Sequence, residues 1–136
     1  MSPRGTSPSV ATILADARHN GVYRLKSPSA SVPTLDGRVL LDKQALLEAL
    51  GWALAFPDYY GANWDALEEC LTDMSWWQGA IALGIDHADQ ADPESLGILI
   101  EIFAQAAEDW QDQGRPCSLF LSGLEHGSWP LTEAEG

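Results

Sequence analysis

Two short, mainly apolar runs, at residues 80–85 and 117–121, constrain the fold of this chain more than any other feature. Neither run alternates regularly with polar residues, so each is predicted to be a strand covered on both faces, as in a parallel sheet. Between them a long amphipathic helix is predicted, opened by Asp92 and Pro93 and ended by Gly114. Strand, helix and strand in this order form a right-handed βαβ unit. The sequence therefore predicts an α/β protein with a small parallel sheet packed with helices.

Shorter elements are predicted upstream of this unit. Ser9 is a suitable N-cap for a short helix, and residues 22–26 and 32–35 are strand candidates. The Gly that follows Asp36 begins either a hairpin or a strand-to-helix loop, and spacing alone does not choose between them. Asp42 is predicted to cap a second helix with a leucine-rich side.

The length of 136 residues is sufficient for one domain with a hydrophobic core. We expect an N-terminal extension at residues 1–30, with a flexible lead-in, the short helix and a possible extra strand. The α/β domain is predicted at residues 31–122, followed by a loose acidic tail at 123–136 with Trp129 as a possible anchor. Residues 1–9 lack the apolar segment of a secretory signal, so we expect a cytoplasmic protein.

Charge is distributed very unevenly along the chain. The seven basic and twenty acidic residues give a net charge of −13. Residues 1–44 contain six of the basic residues and three acidic ones, so the remainder holds seventeen acidic residues and one basic residue, Arg115. Such a surface repels phosphate backbones and anionic lipids, which argues against direct binding of nucleic acid or membranes. It would attract a cationic protein, although many proteins are acidic only to stay soluble.

The sequence contains no recognisable metal, cofactor or catalytic motif. Cys70 and Cys117 lack metal-binding spacing, and we expect both to be reduced core residues. Residues 86–92 include ligand-type side chains but lack the alternation of a calcium loop, so helix capping and a solvated turn explain them better. His19 and His126 have no Ser or Cys in a triad context. We therefore predict no catalytic residue, no cofactor and no metal, and a chain that is not an enzyme.

A helix beginning near Asn63 is predicted to carry an acidic face. Asp65, Glu69 and Asp73 fall at i, i+4 and i+8, and no basic residue follows at a spacing that would offset their repulsion, which costs about 0.2–0.5 kcal/mol per pair. Two interpretations remain open at this point. The face is either a recognition surface or a solvated surface on which Asp65 complements the helix dipole.

The loop before this helix contains Tyr59, Tyr60 and Gly61. Tyrosines beside carboxylates are typical of recognition surfaces, but one of the two rings is expected to pack into the core. The whole stretch 57–72, PDYYGANWDALEECLT, follows the pattern Pro-x-Tyr-Tyr-Gly-x-Asn-x-Asp-Ala-Leu-x-acid-Cys-Leu-Thr of the barstar family. This segment thus resembles the intracellular inhibitors of secreted, guanyl-preferring ribonucleases, and a looser likeness extends over residues 32–122.

The resemblance implies a barstar-like fold with a three-stranded parallel sheet, to which residues 22–26 could add a fourth strand. It also implies that the loop and the acidic helix enter the active site of a ribonuclease, with Glu69 at the position of an aspartate that mimics the substrate phosphate. A second acidic contact would fall near Glu94, although a plain role in the first helical turn suits that residue better. The expected partner-binding residues are Tyr59, Gly61, Asn63, Asp65, Glu68, Glu69, Thr72, Asp73 and Trp76.

Three functional hypotheses follow from these observations. The first is an inhibitor of a basic microbial ribonuclease, monomeric when free and bound one-to-one. The second is a barstar-like immunity module for a non-ribonuclease protein, such as another toxin, because Glu68, Glu69 and residues 73–77 depart from the family pattern. Within that stretch, Trp76 and Trp77 are either interface anchors or packing residues. The third hypothesis is a small hydrolase that uses the acidic face.

Overall fold

The computed structural model of the chain describes residues 7–124 and 129–136. Its helices are α1 (Val10–Ala15), α2 (Lys43–Ala53), α3 (Trp64–Asp73) and α4 (Pro93–Asp112). Its strands are β1 (Gly21–Leu25), β2 (Thr34–Asp36), β3 (Ile81–Asp86), β4 (Cys117–Ser122) and β5 (Thr132–Glu133). Three short 3-10 turns occur at Ala17–His19, Gly37–Val39 and Ala88–Gln90.

The five strands form one sheet in the order β2-β3-β4-β1-β5, and every neighbouring pair is parallel. This confirms the predicted α/β class with a parallel sheet, but the expected count of three or four strands is wrong. The strand foreseen at residues 22–26 is β1, which pairs with the edge of β4 that β3 leaves open. The turn after β2 leads into α2, so the strand-to-helix alternative is the correct one there.

The fifth strand comes from the segment that was expected to be a loose tail. Within residues 123–136, Thr132 and Glu133 pair with β1, and the amide of Ala134 donates to the carbonyl of Arg24 at 2.9 Å. That segment is also joined to the chain before α1, because Glu135 exchanges backbone hydrogen bonds with Pro8 and Val10. A two-residue strand has no periodicity of its own, so its position follows from the free hydrogen-bonding edge of β1.

The main core lies between the sheet and the three long helices α2, α3 and α4. Leu119 and Leu121 of β4 point into it, whereas Phe120 points to the opposite face of the sheet. On that opposite face a smaller cluster is covered by α1, whose Ile13 is fully buried. Both faces of β4 are therefore buried, which explains why four of its six residues are apolar and none is charged.

None of the helices within the described residues is both long enough and apolar enough to cross a membrane.

The predicted helix boundaries agree well with the structure where a capping residue marks them. Asp42 and Asp92 accept the backbone N–H of Ala45 and Ser95 at 2.8 and 3.2 Å. Each carboxylate thereby satisfies a donor that a helix N-terminus leaves free.

Candidate functional site

The acidic helix α3 is set by a polar cap and an apolar stripe. The side-chain oxygen of Asn63 accepts the N–H of Ala66 at 2.8 Å, and Leu67 and Leu71 are fully buried. Because these buried residues share one side, the acidic residues at the predicted spacing fall on the other side. Five site residues on α3 are exposed: Asp65, Glu68, Glu69, Thr72 and Asp73. The structure thus brings together the helical residues that the sequence singled out.

In the part of the chain that the structure describes, no basic side chain forms an ion pair with this exposed face. The ion pairs formed within the described residues join Arg18 to Asp16, Arg38 to Asp36 and His87 to Asp86, so none involves a carboxylate of α3. The hydroxyl of Thr72 donates back to backbone carbonyls of α3, 3.0 and 3.1 Å away. Its lone pairs remain available for a donor from outside. The face therefore offers acceptors and negative charge, and almost no donors.

The far end of α3 is held by two residues that are distant in sequence. The indole N–H of Trp110 donates to the carbonyl of Leu71 at 2.8 Å. Arg115, whose guanidinium lies over the Trp110 ring at 5.1 Å, donates to the carbonyls of Met74 (3.1 Å) and Gly79 (2.9 Å) and to that of Trp77. The only basic residue after position 44 is therefore directed at backbone carbonyls, where it supports the helix end and leaves the acidic face free.

The loop between α2 and α3 uses its two tyrosines differently. Tyr60 is partly buried: its ring makes an edge contact with Phe56 at 4.7 Å, and its hydroxyl donates to the carbonyl of Leu47 at 2.8 Å. A β-carbon at Gly51 would come within 2.7 Å of the Tyr60 ring, so only glycine allows this approach. Burial raises the pKa of Tyr60. This confirms that one of the two rings packs inward.

Tyr59, by contrast, remains 69% exposed. Its hydroxyl donates to Asp73 Oδ2 over 3.4 Å, which joins the loop to the last residue of α3. Partial desolvation of the phenol, together with the negative charge of Asp73, raises the pKa of Tyr59. The neighbouring Gly61 is also exposed, and a β-carbon there would come within 3.2 Å of the side-chain nitrogen Nδ2 of Asn63, the cap of α3.

A groove between α3 and α4 continues the acidic surface. It has a volume of about 330 Å³. Its walls are Glu68, Glu69 and Thr72 from α3 and Ile102, Gln105, Ala106 and Asp109 from α4. The groove combines carboxylates with apolar side chains, a combination that suits the aliphatic stem and cationic head of Lys or Arg. It is a surface on which a cationic protein could dock.

The sequence did not reveal that Asp109 belongs to this surface. The second acidic contact was considered near Glu94, fifteen positions earlier on α4, which corresponds to about 22 Å along the helix axis. Glu94 lies in the first turn of α4, where it complements the dipole. The spacing of Asp109 within α4 predicts that it is exposed, but only the packing of α4 against α3 shows which exposed residues meet Glu68 and Glu69.

Trp76 and Trp77 both use their indole N–H groups within the protein. Trp76 donates to the carbonyl of Leu54 at 3.0 Å and packs edge-on against Phe56 at 5.9 Å. Trp77 donates to the carbonyl of Ala80 at 2.9 Å. Both side chains are partly buried, so packing accounts for most of their surface. A contact between Trp76 and a partner remains a prediction that involves only its exposed edge.

The other candidate residues have structural partners or fall outside the site. Asp92 accepts the Ser95 hydroxyl at 2.6 Å as part of its cap, and Asp86 accepts the Ser122 hydroxyl at 2.9 Å. Within residues 7–124 and 129–136, no group of three or more His, Cys, Asp or Glu side chains is arranged to hold a metal ion. Cys70 and Cys117 are free and buried. His126 lies outside the described residues.

Comparison with protein families places this geometry in a known context. The family model described as Barstar (barnase inhibitor) matches residues 30–122. This range includes β2, β3, β4 and the three long helices, and with them the loop, α3 and the groove. The helix α1 and the strands β1 and β5 lie outside it. A search of curated proteins gives no match.

Proposed function

The chain belongs to the barstar family, and from this premise we propose that it inhibits a basic, guanyl-preferring ribonuclease by blocking its active site. The contact surface is the exposed face of α3, the loop that carries Tyr59 and Gly61, and the α3–α4 groove. The observation that carries this proposal is the acidic face of α3, on which no carboxylate has a basic partner among the described residues. Leaving these charges together costs stability, which a role in binding a cation would explain.

The mechanism follows from what a ribonuclease must do to RNA. Its active site gathers Arg, Lys and His side chains to stabilise negative charge on phosphate, and opposite charges attract more strongly where water is excluded. A carboxylate presented by a rigid helix satisfies those cations without offering a bond to cleave. Glu69 lies at the middle of the acidic face, between Asp65 and Asp73, and also lines the groove. We assign it the role of the phosphate mimic.

The surrounding residues would complete the contact. Asp65 and Glu68 extend the negative field on α3, and Asp109 adds a carboxylate from α4. Long-range attraction between this acidic surface and a basic enzyme speeds their encounter, up to about 10⁸–10⁹ M⁻¹s⁻¹ at low salt. We propose a one-to-one complex, a free monomer and a location in the cytoplasm, where the free cysteines would stay reduced.

The test is a titration of the protein into a panel of purified guanyl-preferring microbial ribonucleases while RNA cleavage is followed. We expect stoichiometric inhibition of at least one enzyme and a marked loss of inhibition in Glu69→Ala. Glu94→Ala is the matched control, because it removes the same side chain from an exposed position at the distant end of α4. Equal loss in both variants would show that only overall charge matters and would overturn the assigned site.

A second candidate is a barstar-like immunity module that binds a basic protein other than a ribonuclease. Glu68 in the groove and the altered stretch 73–77 favour it, since both change the surface next to the matched motif. A folded protein that inhibits none of the ribonucleases would support this candidate. The acidic surface would then be tested directly, by asking whether Glu69→Lys abolishes binding to a partner recovered from the native cell extract.

A further inference from the structure

The loop before α3, residues 54–63, is anchored to neighbouring elements by several side-chain contacts. Tyr60 is tied to α2 through the carbonyl of Leu47, and Trp76 is tied to the carbonyl of Leu54 while it packs on Phe56. The amide of Tyr60 also donates to the carbonyl of Pro57 at 2.9 Å. These contacts fix the backbone of the loop. They do not involve the ring of Tyr59, which is 69% exposed and whose hydroxyl, among the described residues, donates to Asp73.

The position of Asp73 is unfavourable for the stability of α3. It is the last residue of α3, where the helix dipole places negative charge, and the last turn contains no basic residue. Glu69, one turn earlier, repels it further. The helix itself therefore gains nothing from a carboxylate at this position. Arg115 supports the helix end through backbone carbonyls, whereas the side chain of Asp73 makes one hydrogen bond within the described residues, the one from Tyr59.

We propose that Asp73 is a positioning residue, which holds the ring of Tyr59 in its binding orientation and so prepares the loop for the partner. The hydrogen bond, 3.4 Å long, spans the junction between the loop and the acidic helix and so restricts the orientations open to the Tyr59 ring. An ordered ring loses less conformational freedom when the complex forms. This inference rests on the proposed function, because it describes how the same surface is preorganised.

A double-mutant cycle in the inhibition assay separates positioning from direct contact. Tyr59→Phe removes the hydroxyl but keeps the ring, and Asp73→Ala removes the acceptor. We expect each to weaken inhibition about two- to tenfold, in line with the loss of one hydrogen bond. In the Tyr59→Phe background, Asp73→Ala should cost nothing further. Asp73→Asn, which keeps an acceptor without the charge, should restore most of the inhibition.

An equal loss from Asp73→Ala in both backgrounds would overturn the proposal, since Asp73 would then contact the partner itself. The same conclusion follows if Asp73→Asn is as weak as Asp73→Ala. The free protein supplies an independent readout. In a ¹³C NMR titration of the tyrosine Cζ atoms, Asp73→Ala should lower the pH at which Tyr59 ionises, and Glu69→Gln should lower it less.

An unchanged ionisation of Tyr59 in Asp73→Ala would also refute the proposal, because the contact would not exist in solution. A panel in which the parent protein inhibits no ribonuclease refutes the proposed function and, with it, the role of Asp73 in that complex. The titration of Tyr59 still decides whether Asp73 holds the ring. The two failures are therefore distinguishable.

Discussion

Two regions of the molecule use carboxylates in opposite ways. In the first third of the chain, Asp16 and Asp36 each cap a 3-10 turn and each pair with the arginine two residues later, at 2.8 and 2.9 Å. On α3, four carboxylates lie within ten residues, and none forms an ion pair with an arginine or lysine of the described residues. A carboxylate whose partner is adjacent in sequence supports a turn. A carboxylate whose partner is missing is free to bind a cation on another molecule.

The first prediction reverses the charge of Glu69, one of the α3 carboxylates without a basic partner among the described residues. Glu69→Lys should reduce inhibition of a target ribonuclease at least a thousandfold, because it places like charges in contact where opposite charges met. Its free energy of unfolding should change by less than about 1 kcal/mol, since the residue is exposed. Inhibition constants and urea denaturation measure the two effects. Full inhibition by the variant would show that α3 is not the recognition surface.

The second prediction concerns the one basic residue of the acidic region. Arg115→Ala should destabilise the protein by about 2–4 kcal/mol, because three backbone carbonyls lose a charged donor and Trp110 loses its cation contact. Urea denaturation measures the loss. Arg18→Ala is the matched control, and we expect a much smaller effect because its side chain is 84% exposed. Similar losses in the two variants would contradict the structural role of Arg115.

The third prediction tests whether the unpaired charges act at long range. Raising the salt concentration from about 0.1 M to 1 M shortens the Debye length from about 10 Å to about 3 Å. The association rate with a basic ribonuclease should fall at least about tenfold, while the dissociation rate changes much less. Stopped-flow fluorescence measures both rates. An association rate that is insensitive to salt would point to an apolar interface, with Trp76 as its natural centre.

The smallest effect is expected at Asp16, a carboxylate that pairs with Arg18. The hydrogen bonds from Arg18 lower the pKa of Asp16 to about 2, from an ordinary value of 3.8. A carboxyl whose pKa is lower in the folded than in the unfolded state stabilises the folded protein at pH values above its unfolded-state pKa. This stabilisation is lost as the pH falls through the folded-state pKa. The parent protein should therefore lose slightly more stability than Asp16→Asn between pH 5 and pH 2, as measured by denaturant midpoints. An identical loss would show that this pair adds nothing.

The contrast also marks how far the sequence could predict the site. The exposed face of α3 was predictable because helical periodicity fixes which residues share a side, and Asn63 marks where the helix begins. The different fates of Tyr59 and Tyr60 were not predictable, since adjacent loop residues carry no periodicity. Which ring is buried depends on Gly51, in the preceding helix. The hydrogen bond between Tyr59 and Asp73 likewise depends on the angle between the loop and α3.

The sequence by itself determined the elements with strong local signals: the long helix α4 with its cap, the buried strands β3 and β4, and the acidic face of α3. Capping, periodicity and apolar runs act over a few residues, so a single chain segment contains the information. Tertiary structure alone decided the rest. The pairing of β5 with β1, the position of Asp109 beside Glu69, and the support of α3 by Arg115 all join residues far apart in sequence. Such contacts form where the packing of whole elements brings free hydrogen-bonding groups and charges together, and no local pattern encodes that packing.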